Sequence, residues 1–306
     1  MLKLQESVID LKRKAKLLSA NSIMPKVLSF IGIISILTTL GIVVILVTES
    51  SGFFREVPIL DFLTGTQWTP LFADQSFGVL PLVIGTFLIT LIAIAVALPI
   101  GLGSAIYLSE YAPERVRLII KPILEILAGI PTIVYGFFAL TFVTPIIKYF
   151  LPQTDLFNAL SAGIVVGIMI IPMISSLSED AMVAVPKPLR AGAYALGATK
   201  YEVSQQIVVP AAFSGIVASF VLGISRAFGE TMIVTLAAGN LPSMSFNPLE
   251  GVQTLTAYIV AVSTGDTRHG SVEYNSIYAV GITLFAITLV MNLVAGYVAR
   301  RFREEY

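Results

Sequence analysis

One arginine and one glutamate lie deep inside an otherwise apolar stretch of this sequence. The stretch runs from about Pro210 to Gly239, and its midpoint near residue 224 lies within one helical turn of Arg226. A charged side chain at the centre of a bilayer costs roughly 3 kcal/mol on insertion scales, so such residues are functional candidates by default. Glu230 follows four residues later, where a continuous helix would place it on the same face as Arg226. A guanidinium offers a planar fork of donors that suits an oxyanion such as phosphate.

Each of these candidates also has a purely structural interpretation. Arg226 and Glu230 can form a buried ion pair that has no further role. Thr231 can add a hydroxyl donor to the same region, or its hydroxyl can donate to a helix carbonyl instead. Glu125, a carboxylate in another apolar run, can lie on a substrate path or pair with Lys121 four residues before it. The sequence leaves these alternatives open.

Six apolar runs are long enough to cross a bilayer and must position these residues. A span needs about 20 apolar residues, because ~30 Å of hydrocarbon is crossed at about 1.5 Å per residue. The predicted fold class is an all-α integral membrane protein, with an N-terminal tail at 1–26 and a transmembrane domain at 27–306. Prolines within the third run imply kinks or a break. The predicted helices cover about residues 27–47, 79–108, 118–147, 156–177, 207–238 and 277–299.

The composition agrees with a membrane protein and excludes several other classes. Hydrophobic residues make up 56% of the chain and charged residues 12%, whereas soluble domains carry roughly 25% charged residues. A net charge of zero argues against a nucleic-acid partner. The sequence has no cysteine, and its single histidine, His269, cannot build a metal site alone. A membrane enzyme would need HExxH, paired catalytic carboxylates or a nucleophile elbow, and the sequence has none of these.

Positive charges are distributed unevenly between the predicted helices. Fifteen of the nineteen Lys and Arg residues lie in the N-terminal tail, before the third and fifth helices and in the C-terminal tail, whereas the alternate segments hold three. Positive charge favours the cytoplasmic side, so we predict a multi-pass protein of the cytoplasmic membrane with both termini inside. Residues 2–18 can form an amphipathic helix on the lipid surface or a plain polar tail. Gly163 and Gly167 have the spacing of a close helix contact, although chance also produces it.

A long segment at about 178–206, between the fourth and fifth predicted helices, is rich in small residues. It resembles the EAA loop of permeases in ATP-binding-cassette (ABC) importers, whose pattern is EAA-xxx-G-x9-I-x-LP. The last alanine, the glycine and the proline are matched, whereas Ala191 replaces the glutamate and Gly192 the middle alanine. An ordinary surface helix fits the spacing as well. The resemblance implies docking on a partner ATPase through Arg190, Ala191, Gly192, Ala193, Gly197, Ala198 and Pro210.

Three further segments resemble the PstC family of phosphate permeases. SRAFGETMIV at 225–234 is similar to its RA-x-GET-M signature, and FLTGTQWTP at 62–70 and LEILAGIPTIVYG at 124–136 are similar to other parts of that family. The resemblance implies a type I ABC-importer (MetI-like) permease fold and the import of inorganic phosphate. The residues considered above, Arg226, Glu230, Thr231 and Glu125, are the candidates for its path. The resemblance also implies four partner chains: a second permease PstA, two copies of the ATPase PstB, and the phosphate-binding protein PstS.

No GxxxxGK[ST] motif for nucleotide phosphates occurs in the sequence. We therefore predict a transport subunit that is not itself an enzyme and binds no cofactor, with ATP and Mg on the partner ATPase. The whole complex would then be a phosphate-translocating ATPase. Two alternatives remain open at this point: a permease for another oxyanion, sulfate or molybdate, and a secondary transporter driven by an ion gradient.

Overall fold

The computed structural model describes the secondary structure of residues 2–301 and the side-chain environment of residues 23–297. This range is built from helices, and its strand pairing is limited to two isolated bridges, Trp68–Phe77 and Gly239–Val252. The surface role predicted for residues 2–18 lies outside the described side chains. In chain order the helices are α1 (Leu2–Glu56), α2 (Ile59–Thr64), α3 (Leu80–Ile106), α4 (Glu114–Gly129), α5 (Thr132–Phe138), α6 (Thr144–Phe150), α7 (Ala159–Val183), α8 (Lys187–Ala195), α9 (Lys200–Glu202), α10 (Val209–Ala211), α11 (Phe213–Phe228), α12 (Met232–Ala237), α13 (Leu255–Thr264) and α14 (Val272–Arg301).

Three π-helical turns join some of these helices. They lie at Tyr107–Tyr111 after α3, at Ala139–Val143 between α5 and α6, and at Val203–Val208 between α9 and α10. Among the described residues, five helical stretches are long and apolar enough to cross a membrane, and a bent pair of helices at Lys200–Ala211 and Phe213–Phe228 makes up to six. The helical fold and the number of spans agree with the sequence prediction.

The third predicted helix, 118–147, is divided at Pro131. Helix α4 ends at Gly129, and α5 begins at Thr132. Proline lacks an amide hydrogen and disfavours helical backbone in the residue before it, and Ile130 is accordingly extended, with φ −66° and ψ 131°. The apolar span runs over Thr132–Phe150, so α4 is a separate element that carries the charged residues predicted to precede this span.

The fifth predicted helix, 207–238, is interrupted twice. The chain bends by 70° between α10 and α11, next to Pro210. Helix α11 then ends at Phe228, and α12 starts only at Met232. The prediction of one straight helix was wrong because hydropathy alone does not register interruptions that neighbouring elements support.

Close contact between α3 and α7 forms the centre of the transmembrane core. A Cβ added at Gly163 would lie 2.6 Å from Cβ of Ile92, and one added at Gly167 would lie 2.9 Å from the carbonyl oxygen of Ala93. The small-residue spacing in the sequence therefore does mark a close helix contact. Because α7 is the helix against which α4, α5, α11 and α12 pack, this contact fixes the frame that holds the site.

We predict that Gly163→Ala destabilises the protein. The new methyl group meets the branched side chain of Ile92, and overpacking of this kind costs about 1–3 kcal/mol. Thermal unfolding of the detergent-solubilised protein measures the effect. Gly103→Ala is the matched control, because Gly103 is a helical glycine with no atom within 4 Å of an added Cβ. Equal midpoints for the two variants would contradict the tight α3–α7 contact.

Candidate functional site

The helix that carries Arg226 stops two residues beyond it, at Phe228. The ion pair predicted between Arg226 and Glu230 is not formed, since none of the ion pairs within 4.0 Å found among the described side chains includes Arg226. The prediction failed because it assumed an unbroken helix, whereas three residues outside helical structure separate α11 from α12. The cationic side chain and the carboxylate therefore have separate roles.

Glu230 caps the second half of the broken helix. Its side chain is buried, and its Oε1 accepts hydrogen bonds from the amides of Met232, at 3.0 Å, and Ile233, at 3.2 Å. The first amides of a helix lack intrahelical partners, so the carboxylate supplies what the chain itself cannot. The carbonyl of Glu230 accepts from the hydroxyl of Thr256 at 2.7 Å, which ties the break to α13. The second carboxylate oxygen, Oε2, takes part in neither of these two hydrogen bonds.

A cleft of about 390 Å³ opens beside this break. Thr132, which begins α5 directly after Pro131, also reaches it, so the breaks of two helices meet there. Helices α5 and α12 also pack against each other, since a Cβ added at Gly136 of α5 would lie 2.8 Å from Leu236 of α12. The lining comprises Thr132, Ser225, Arg226, Gly229, Glu230, Thr231 and Met232.

Arg226 is the free donor in this cleft. It is exposed and takes part in none of the hydrogen bonds or ion pairs found among the described residues. The two neighbouring hydroxyls are engaged: Ser225 donates to Asn292 Oδ1 at 2.7 Å, and Thr231 donates to the carbonyl of Gly229 at 3.2 Å. The Thr231 hydroxyl could have faced the cleft as a donor or bonded to a carbonyl, and the structure shows the bond to a carbonyl. An unpaired guanidinium beside a polar cleft is suited to bind an anion.

Glu125 does not reach this cleft. It lies on α4, where it lines a separate groove with Lys121. The alternative pairing with Lys121 is not formed either, because the ammonium group lies 3.0 Å from Asp180 and 3.5 Å from Glu179, both on α7. The structure therefore does not support Glu125 as part of a path with Arg226.

The sequence reasoning missed Glu179, which is fully buried. Its Oε1 lies 2.6 Å from Nε of Arg117, and this ion pair holds α4 to α7. The geometry of the contact does not meet the criteria for a hydrogen bond. The fourth predicted helix ended at 177, whereas α7 continues to Val183 and carries this carboxylate inside the protein. Thr132 and Ser225 were also missed; the neighbouring Pro131 was the one local signal for Thr132.

The segment similar to an EAA loop contains a short helix, α8, with a defined end. Gly197 has a φ of +86°. Its amide donates to the carbonyl of Tyr194 at 3.0 Å, and the amide of Ala198 donates to the carbonyl of Ala193 at 3.1 Å. This is a Schellman motif, in which glycine avoids the steric cost of positive φ. Thr199 then starts α9 with a capping box. Gly197 is thus required by the turn itself.

The predicted docking residues do not all face outward. Ala191, Gly192 and Pro210 are exposed, whereas Ala193 and Ala198 pack against buried residues of the same chain. Leu196 at the end of α8 is 91% exposed, and the sequence reasoning did not single it out. Arg190 contacts Glu110 of its own chain at 3.0 Å, so its side chain is committed internally.

Comparison with known proteins identifies the class of this fold. It resembles chains of solved ABC importers. One is a bacterial alginate transporter in complex with a periplasmic protein that holds an alginate pentasaccharide. The TM-score is 0.60 at 15% sequence identity, and the match covers 89% of this chain and 95% of the other. The MetNI methionine transporter gives a TM-score of 0.54, 16% identity and coverage of 74% and 95%. These likenesses show that the chain has the MetI-like fold of ABC-importer membrane subunits.

Sequence relatives then assign the family. The family described as "Binding-protein-dependent transport system inner membrane component" matches residues 97–304. The probable ABC transporter permease protein YqgH of Bacillus subtilis is 38% identical over 242 residues, 79% of this chain and 78% of its own. The phosphate transport system permease protein PstC of Mesorhizobium japonicum is 34% identical over 259 residues, 78% of each chain.

The chain belongs to the family of binding-protein-dependent transport system inner membrane components. It is therefore an inner-membrane permease subunit of an ABC importer, a class in which the ATPase is a separate chain. This assignment removes the ion-driven secondary transporter that the sequence motifs had left open.

Proposed function

We propose that this permease imports inorganic phosphate and that the anion passes the cleft beside Arg226. The observation that carries the proposal is the unpaired guanidinium at the junction of two broken helices. Its fork of donors matches the oxygens of a tetrahedral oxyanion. Relatives named PstC, among them that of Mesorhizobium japonicum, support phosphate as the substrate.

Glu230 gives a physical reason to favour phosphate over sulfate or molybdate. Its carboxylate also lines the cleft, and an ionised carboxylate only accepts hydrogen bonds. Phosphate at neutral pH retains a hydroxyl that can donate to this group, whereas fully ionised sulfate would face it without a proton. A repulsive element of this kind is a common source of specificity. The remaining candidate is a permease for another oxyanion.

The proposed assembly follows that of phosphate importers. A second permease similar to PstA would complete the pore, two copies of an ATPase similar to PstB would bind ATP and Mg, and a binding protein similar to PstS would deliver phosphate. Hydrolysis would then occur on the partner chains. The exposed tip of α8, with Ala191, Gly192 and Leu196, is the surface proposed to dock on the ATPase.

The phosphate path is tested by substitution of Arg226. We expect Arg226→Gln to lower uptake of radiolabelled phosphate about tenfold or more, because hydrogen bonds to charged groups contribute about 1.5–3 kcal/mol. Arg226→Lys keeps the charge and loses the fork, so it should transport at an intermediate rate. Uptake is measured in cells that lack other phosphate importers and corrected for the amount of assembled complex.

Glu230→Gln tests the carboxylate separately, because its amide oxygen can still accept from Met232 and Ile233. We expect this variant to assemble and to let sulfate or molybdate compete with phosphate more strongly. Near-normal uptake by the Arg226→Gln, Glu230→Gln double variant would show that the arginine is part of the scaffold. Wild-type uptake of sulfate or molybdate in place of phosphate would overturn the substrate.

Docking on the ATPase is tested at Gly192 rather than at Gly197, whose positive φ confounds any substitution. An added Cβ at Gly192 meets no atom within 4 Å, so a large side chain there leaves the subunit fold intact. We expect Gly192→Trp to lose co-purification with the ATPase, whereas Gly192→Ala retains it. Full retention of the ATPase by the tryptophan variant would remove this surface from the interface.

We also propose that both chain termini are cytoplasmic, on the basis of the positive charges in the tails and in the segments before the third and fifth spans. A phosphatase reporter that is active only outside the cytoplasm should be inactive when fused after Tyr306 and active within the loop near Asp266. The opposite pattern would invert the topology.

A further inference from the structure

Arg190 of α8 makes three hydrogen bonds, one to the π-helical turn that follows α3 and two to carbonyls at the end of α7 and just beyond it. Its Nη2 donates to Glu110 Oε1 at 3.0 Å and to the carbonyl of Met182 at 2.7 Å, and its Nη1 donates to the carbonyl of Val185 at 2.6 Å. The Glu110 side chain is 6% exposed and that of Arg190 is 18% exposed. Such a pair, shielded from water and bonded on both sides of the guanidinium, is geometrically restrained.

A second contact joins the same two parts of the chain. The ammonium group of Lys200, at the start of α9, lies 5.2 Å from the ring centroid of Tyr111, within the range of a cation–π interaction. Glu110 and Tyr111 are neighbours in the π-helical turn that follows α3. Arg190 in α8 and Lys200 in α9 therefore both contact the π-helical turn Tyr107–Tyr111.

That turn leads directly to the cleft through α4. Two residues separate Tyr111 from α4, and two residues separate the end of α4 from Thr132, which lines the cleft. No residue of α4 is buried, and ion pairs of Arg117 and Lys121 connect it to α7. A helix held in this way can shift without opening a packed core, unlike α3 or α7.

We propose that Arg190 and Glu110 form a joint that transmits movement of the ATPase from α8, through the π-helical turn and α4, to the cleft. Arg190 is on this view a positioning residue within the permease and not an ATPase contact. The proposal rests on the proposed function in one respect, namely that the cleft beside Arg226 lies on the transport path.

The test uses labelling of the cleft and needs no substrate. The chain has no cysteine, so Met232→Cys, in the cleft lining, introduces one reactive thiol into this subunit. The complex is reconstituted with its partner permease and ATPase in nanodiscs. A membrane-impermeant maleimide is added without nucleotide and with ATP plus vanadate, and the ratio of the two labelling rates reports opening. The complex without Met232→Cys gives the background from partner cysteines.

We expect ATP to change the labelling rate of the parent by at least about fivefold, a usual size for coupling between two sites. In the Arg190→Met, Glu110→Met variant the ratio should fall towards one, while ATP binding and basal hydrolysis persist. Removal of both charges leaves no buried charge unpaired, so the subunit should still assemble. The double variant Glu114→Met, Arg115→Met is the control. It also removes one negative and one positive charge, but neither residue forms an ion pair among the described residues.

A ratio in the methionine variant within about twofold of the parent would overturn the joint and leave the phosphate proposal intact. A parent that shows no change with ATP would overturn both, because the cleft would then lie off the path. If the methionine variant does not assemble, Arg190→Lys decides: it can keep the ion pair but not all three bonds. Its ratio should then be reduced, and an unchanged ratio would refute the joint.

Discussion

The interior of a bilayer offers no water to the backbone, so every break in a spanning helix needs protein groups for the amides that it frees. Glu230 meets this requirement at the break between α11 and α12, where one of its oxygens accepts two amide hydrogen bonds. No ion pair joins this carboxylate to Arg226, so the guanidinium is unpaired among the described side chains. This interaction holds the start of α12 beside the cleft that Arg226 lines.

The spans were predictable because length and hydropathy are local properties. The second helix was predicted at 79–108, and α3 covers residues 80–106 in the structure, a difference of one or two residues at each end. The breaks were not predictable to the same degree. Pro131 permits an interruption, yet a helix is broken only where other elements satisfy the freed groups, and the hydroxyl of Thr256 that supports Glu230 is 26 residues away in the sequence. The predicted pairing of Arg226 with Glu230 failed for this reason.

Site residues differed in how visible they were to sequence reasoning. Arg226 stood out because a charge in an apolar run is costly and therefore rare. Ser225 did not, since hydroxyl side chains are common in membrane helices and only the fold brings this one to the cleft. Gly197 was identified through its motif, but its physical reason, a positive φ at the end of α8, emerged from the backbone. The partner of Arg190 lies 80 residues earlier, beyond any local pattern.

The division between packed and loosely held elements gives the fold a way to move. α3 and α7 are locked by glycines at which an added Cβ would collide with the facing helix, so neither can slide freely. α4 has no buried residue and is held to α7 by Arg117 and Lys121, whose side chains are 35% and 30% exposed, beside the buried carboxylate of Glu179. A shift of α4 that keeps these ion pairs opens no packed core. The site itself has one unpaired guanidinium, where a closed cage of donors would bind an anion too tightly. A permease must release its substrate in every cycle, and a cleft lined by a single unpaired guanidinium suits the weak anion binding that we propose for it.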